Sequence, residues 1–170
     1  MRWSLYCAGL VLACAAQASA ATARAALAAT GETPIRGEAQ FLDTDAGLRI
    51  AVRIQQAPPG QHGFHIHEFG DCGNAGKAAG SHYNPEGMPH GDLANAGFQH
   101  AHAGDLGNFE VGPDGTGVYE RVFPGLRLAE GEYSVAGRAL IFHANRDDFS
   151  QPSGNAGDRI GCGTIILTEH

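Results

Sequence analysis

The sequence predicts an all-β fold, a sandwich or barrel of short strands. Three observations carry this. Helical periodicity is nearly absent, 25 glycines and 8 prolines punctuate the chain, and the apolar runs between them have strand length. Ile35 to Leu42 and Leu48 to Ile54 read as a hairpin around the turn Asp43 to Gly47. Ala57-Pro58-Pro59-Gly60 turns the chain into a strand from His62 to Phe69. Asn108 to Val111 and Gly117 to Phe123 flank Pro113-Asp114-Gly115, a strong hairpin signal. Gly137 to His143 and Gly161 to Thr168 supply two more strands. Ala23 to Ala29 is rich in alanine, a poor strand former, and by itself reads as an ordered tail or the end of a leader. Two long loops remain, Gly70 to Gly104 and Ala144 to Arg159. Loops of this length inside a compact domain are usually functional or disordered. The first carries four histidines and is read as functional.

The first twenty residues read as an export signal. Arg2 gives a short positive start, Trp3 to Ala16 is apolar, and Ala18-Ser19-Ala20 fits cleavage after a small residue. The apolar run is shorter than the roughly 18 residues of a spanning helix. Val11-Leu12-Ala13-Cys14 is a weak lipoprotein box, so anchoring through Cys14 is a minor alternative. The remaining domain, 21–170, is expected to be soluble and exported, periplasmic or secreted. Without Arg2 it holds 10 basic against 18 acidic residues, a net charge near −8. Nucleic-acid binding needs a basic face and is excluded on that ground. Of four cysteines, only Cys72 and Cys162 lie outside the leader. In an exported chain two such cysteines pair. Closing a loop of this length contributes on the order of 4 kcal/mol in the chain-entropy model.

Nine histidines in 170 residues is a high count, and their spacing points to a transition metal. His65 and His67, two apart on a strand, project from one face. His62 has the opposite parity and reads as a hydrogen-bonded structural residue near a turn. His82, His90, His102 and Asp105, three imidazoles and a carboxylate, suit tetrahedral zinc. His143, closing the apolar strand Ala139-Leu140-Ile141-Phe142, could add a ligand to the His65/His67 pair. Spacing alone leaves a histidine-rich zinc-binding domain or a metal buffer open. A binuclear zinc hydrolase fits poorly, because no acid/base carboxylate motif stands beside these histidines.

GFHIHEFGDC, GSHYNPEGMPHG, HAGDLGNF, the strand ending at His143, and GNAGDRIGCG follow one another between about Gln61 and Thr168. Together they resemble copper/zinc superoxide dismutase, in its bacterial exported form. The resemblance implies an eight-stranded Greek-key β-barrel with two long functional loops, in which Ala23 to Ala29 is the first strand. It implies one copper held by His65, His67, His82 and His143, and one zinc held by His82, His90, His102 and Asp105. His82 then bridges the two ions. It implies a disulfide between Cys72 and Cys162, an arginine beside the copper at Arg159, and a carboxylate at Asp147 linking a copper-bound to a zinc-bound histidine. The interval from His90 to His102 is long, with His100 as a rival ligand; His102 is preferred because His-x-Gly-Asp-Leu is intact around it. The loop 144–157 is short, as in bacterial relatives, and lacks much of the charged segment that steers substrate in eukaryotic ones.

The reaction implied is dismutation of two superoxide ions to oxygen and hydrogen peroxide. Imidazole ligands tolerate both oxidation states of copper, while zinc has no redox chemistry. His82 and Arg159 are the expected catalytic residues. His82 carries a proton to the forming peroxide, and Arg159 focuses an anionic substrate onto an acidic protein. A copper-storing protein of the same fold is the rival; loss of Arg159 or a copper ligand would mark it, and neither is lost here. The family contains homodimers and monomers.

Overall fold

The computed structural model describes residues 20–168. The expected leader, with Cys7 and Cys14, lies outside them. Among the described residues no helix is long and apolar enough to cross a membrane.

Alternating sequences make the strands. β1 (Thr22–Ala29), β2 (Arg36–Thr44) and β3 (Gly47–Gln55) form an antiparallel meander in continuous register. Their inward residues alternate with exposed ones, as the period of two demands: Ala23, Ala25 and Leu27, then Ala39 and Phe41, then Leu48, Ile50, Val52 and Ile54. The alanines of β1 therefore do form a strand. Its partners on both sides outweigh its weak intrinsic propensity. β4 (Gly60–His67) pairs with β5 (Asp105–Val111) and with β9 (Ala139–His143); β9 pairs with β10 (Arg159–Thr164), and β10 with β1. β6 (Gly117–Phe123) pairs with β3. Eight strands thus run in the order β5-β4-β9-β10-β1-β2-β3-β6, a nearly closed Greek-key barrel. Two-residue β7 (Leu126–Arg127) and β8 (Tyr133–Ser134) pair with each other, and β11 (Ile166–Thr168) pairs with β1 after a break at Ile165.

The sequence reading is corrected in several places: β9 starts at Ala139 rather than Gly137, and the strand expected over 161–168 starts at Arg159 and breaks at Ile165. β5 and β6 are joined by the expected tight turn, closed by Gly112 N–H to Thr116 O at 2.8 Å, yet form no ladder and flank the barrel's seam. Gly117 lies under the Phe109 ring and close to the Glu110 carbonyl, where any Cβ would collide with both. Side chains seal the seam instead: Phe109 stacks on Tyr119 at 5.9 Å, and the Tyr119 hydroxyl donates to Leu106 O at 2.9 Å. β4 ends at His67 rather than Phe69, and β5 starts at Asp105 rather than Asn108. The loop 70–104 contains a 3₁₀ turn (Lys77–Ala79) and a one-turn helix α1 (Leu93–Ala96), capped by the Asp92 carboxylate.

Phe64, Ile66, Leu140 and Phe142 point into the barrel and are fully buried. His65, His67 and His143 consequently point outward, under the two long loops. The Cys72–Cys162 disulfide, spanning 90 residues, ties the first loop to β10.

Candidate metal centre

β4 sets the first pair. Ile66 faces the core, so its neighbours His65 and His67 share the outer face. The loop 70–104 then folds back over them. Tyr83 N–H bonds Ile66 O and Ile66 N–H bonds Gly104 O, both at 2.9 Å, and His82 pairs with His67 as an isolated bridge. Gly104 is required for this approach, since a Cβ there would collide with Ile66 O. β9 brings His143 alongside, and Arg159 opens β10 opposite it in register.

The donors converge in two groups of four, with a third trio of His65, His90 and Asp147 between them; within each, one ligand atom per residue lies within 4.8 Å of the others. One is His65, His67, His82 and His143. The other is His82, His90, His102 and Asp105. All seven side chains are buried. His82 belongs to both. Its Nδ1 lies 2.8 Å from Asp105 Oδ1 and 3.4 Å from His102 Nδ1, which leaves Nε2 for the first group. His62 and exposed His100 belong to neither. The His62 ring stacks on Phe142, with its nitrogens 2.8 Å from Pro58 O and 2.9 Å from His143 O.

Hydrogen bonds fix which nitrogen of each ring is free. A carboxylate only accepts, so Asp147 takes N–H groups from His65 Nε2 at 2.7 Å and His90 Nε2 at 2.9 Å. The Nδ1 atom of His65 is then a lone pair, buried and without a hydrogen-bond partner. His67 and His143 donate Nδ1–H to Gly80 O (3.0 Å) and Gly157 O (3.2 Å), and their Nε2 lone pairs face each other at 3.4 Å. His90 Nδ1 faces the Asp105 carboxylate, 2.9 Å from Oδ2, where a proton holds it in the absence of a metal. Opposed acceptors in a buried space are unfavourable unless a cation lies between them. This donor set, imidazole in one group and imidazole plus carboxylate in the other, fits copper and zinc respectively.

The electrostatics agree. Burial pushes the pKa of His65 down and those of His67 and His143 well down; burial, with His65 nearby, takes His82 to about 4. These rings are neutral at neutral pH, the form in which imidazole binds a metal. Burial opposes charge on His90 as well, but Asp105 and Asp147 outweigh it and raise its pKa to about 9 without a metal. Asp105 and Asp147 both lie below the ordinary carboxylate range despite burial, held there by their histidine partners. Asp105 also accepts backbone N–H groups from Gly91 and His102, each at 2.9 Å.

A cavity of about 570 Å³ opens onto the first group, lined by His67, His82, His143 and Arg159 together with Ser153 and Gly157 from the second loop. The Arg159 guanidinium donates to Gly76 O and Gly80 O at 2.6 Å each. Gly80 O therefore receives both the arginine and the His67 ring.

The sequence model of copper/zinc superoxide dismutase matches residues 35–165. The chain belongs to that family. This dismutase is 37% identical over 155 residues to Cu-Zn superoxide dismutase 3 of Arabidopsis thaliana, covering 85% of this chain and 90% of the relative. It is 37% identical over 144 residues to the extracellular Cu-Zn superoxide dismutase of Caenorhabditis elegans, covering 81% of this chain and 63% of that longer protein. The crystal structure of the clock protein EA4 superposes with a TM-score of 0.78 at 33% identity, over 90% of this chain and 98% of the other. The dismutase is an oxidoreductase that converts superoxide to oxygen and hydrogen peroxide, with copper and zinc as cofactors.

Sequence reasoning missed several residues around the site. Asn108 brackets the backbone of Asp147, accepting its N–H at 2.8 Å and donating to its carbonyl at 2.9 Å. Gly154, at φ +72°, leaves room for the Asp147 carboxylate, which any Cβ would strike. Gln151 grips His90. None of these lies in a ligand-spaced pattern; only the strings HAGDLGNF and GNAGDRIGCG gave Asn108 and Gly154 any signal.

Proposed function

We propose that His65, His67, His82 and His143 hold the copper, that His82, His90, His102 and Asp105 hold the zinc, and that the dismutase turns over at the copper face of His82. The observation that carries this reading is that one imidazole, His82, belongs to both groups of converging donors. Copper, when bound, supplies the one-electron redox couple that dismutation requires, and zinc adds positive charge without redox chemistry.

The chain's own residues do the rest. His65 and His90 are fixed by one carboxylate, Asp147, so the two metal positions are linked through a second path besides His82. His82 holds and releases the proton required by the product at Nε2, while Asp105 and His102 keep its Nδ1 side in place. Arg159 presents a cation at the cavity wall, locked by two carbonyls of the disulfide-tied loop. Superoxide is an anion approaching a chain of formal charge −7, and a local cation in a low-dielectric cleft raises its on-rate ~10- to 10³-fold.

Arg159→Ala tests that last role. The variant is expected to lose about 10-fold or more in kcat/KM and to show a weaker dependence of rate on ionic strength than the parent. Pulse-radiolysis or stopped-flow decay of superoxide at several salt concentrations measures both. Equal salt sensitivity in the two proteins would remove Arg159 from substrate guidance.

Residues 1–20 are proposed as an export signal, leaving 21–170 as the dismutase domain in the periplasm or outside the cell, in the bacterial exported branch of the family. The Cys72–Cys162 disulfide and the extracellular nematode relative support export. Anchoring through Cys14 is the alternative to a free domain. All proposed ligands and Arg159 come from one chain, so either a monomer or a homodimer is a complete catalytic unit.

A further inference from the structure

His90 lies in a stretch of the 70–104 loop with no strand or helix around it. Among the described residues its backbone N–H and carbonyl meet no backbone partner. Both are taken by one side chain from the other long loop. His90 N–H donates to Gln151 Oε1 at 2.9 Å, and Gln151 Nε2 donates to His90 O at 2.9 Å. This reciprocal pair reproduces the exchange of bonds between two facing residues of an antiparallel ladder. Gln151 itself is exposed. An exposed glutamine on a surface loop is ordinarily solvated, whereas this one spends its donor and its acceptor on one residue 61 positions away.

The ring of His90 is held from the same loop. Its Nε2 donates to Asp147, four residues before Gln151, and its Nδ1 is turned toward Asp105. The loop 144–158 therefore grips His90 at backbone and ring together. The ring bond alone fixes one end of the imidazole and leaves the peptide free to swing about it.

We propose that Gln151 is a positioning residue for the zinc cluster: it fixes the His90 peptide so that Nδ1 stays aimed at His82, His102 and Asp105, and it thereby slows zinc release. This rests on the assignment of zinc to those four residues. Hydrogen-bonded supports behind a ligand typically change metal affinity ~10- to 100-fold, and a support acting through the backbone belongs at the lower end.

The test uses the full domain loaded with copper and zinc. Zinc release into a chromogenic chelator is followed for the parent, Gln151→Ala and Gln151→Glu, with copper content measured in parallel. Gln151→Ala is expected to release zinc about 10-fold faster while copper loss stays within about twofold of the parent. Gln151→Glu keeps an acceptor for the His90 N–H but sets its second oxygen against the His90 carbonyl, so it is expected not to rescue. With cobalt(II) in the zinc position, the visible ligand-field bands of Gln151→Ala are expected to shift. Zinc release at the parent rate in Gln151→Ala, full rescue by Gln151→Glu, or loss of both metals at equal rates would overturn the inference, the last because it marks general loosening. A parent that holds no zinc at His90 would overturn the underlying ligand assignment, and this inference with it.

Discussion

Replacing His143 with alanine is expected to abolish superoxide turnover while zinc content stays near one ion per chain. His143 belongs only to the first donor group, where its Nε2 opposes that of His67 at 3.4 Å. Its other nitrogen is engaged by Gly157 O, so no second role in the zinc cluster is open to it. Removing the ring deletes one of the four donors proposed for copper, at the wall of the access cavity. The loss in rate should exceed the ~10- to 100-fold that follows removal of a partner merely hydrogen-bonded to a ligand. Stopped-flow decay of superoxide, with metal analysis of the same sample, measures both halves. Unchanged turnover would remove His143 from the copper site.

Asp105→Ala is the second large effect, and it falls on zinc and on stability. Asp105 is fully buried and faces three imidazoles and two backbone N–H groups. It is the only negative charge in its group. Its removal leaves those N–H groups without an acceptor and withdraws the anion that offsets a divalent ion. Breaking a buried charged pair by deleting one partner costs about 3–5 kcal/mol. Zinc occupancy in the variant is expected to fall to a small fraction of the parent's, with copper affected less. Metal analysis and urea unfolding of parent and variant, each with and without zinc, check it. A variant that keeps its zinc, or loses copper first, would contradict the assignment.

Most of the strands were legible because their residues alternate. β3 buries every second side chain and β2 does so through Ala39 and Phe41, and their positions follow from that period. β1 was not legible from propensity, since its alanines become a strand only through β2 and β10, partners the local sequence does not mention. The absent β5–β6 ladder was hidden for a similar reason. Pro113-Asp114-Gly115 specifies a tight turn but says nothing of how far the strands pair beyond it, where β6 pairs with β3 and β5 with β4.

The site divides along the same line. His65 and His67 announce themselves by spacing on a strand, as does Asp105 within His-x-Gly-Asp. The meeting of His82 with both groups, and the role of Asp147, entered only through family resemblance, because they depend on how two long loops fold over β4. Gln151 was invisible to either route, and Asn108, although inside HAGDLGNF, carried no sign of its role. Each acts on the backbone of another residue, and such contacts leave no pattern in the residue types along the chain.

The central claim is that the His82 ring joins the two metals. Crystals of the domain loaded with copper and zinc, measured on both sides of each metal's absorption edge, locate the ions separately. The predicted result is a copper peak bonded to one nitrogen of His82 and a zinc peak bonded to the other. A copper or zinc ion bound with no bond to that ring would contradict it.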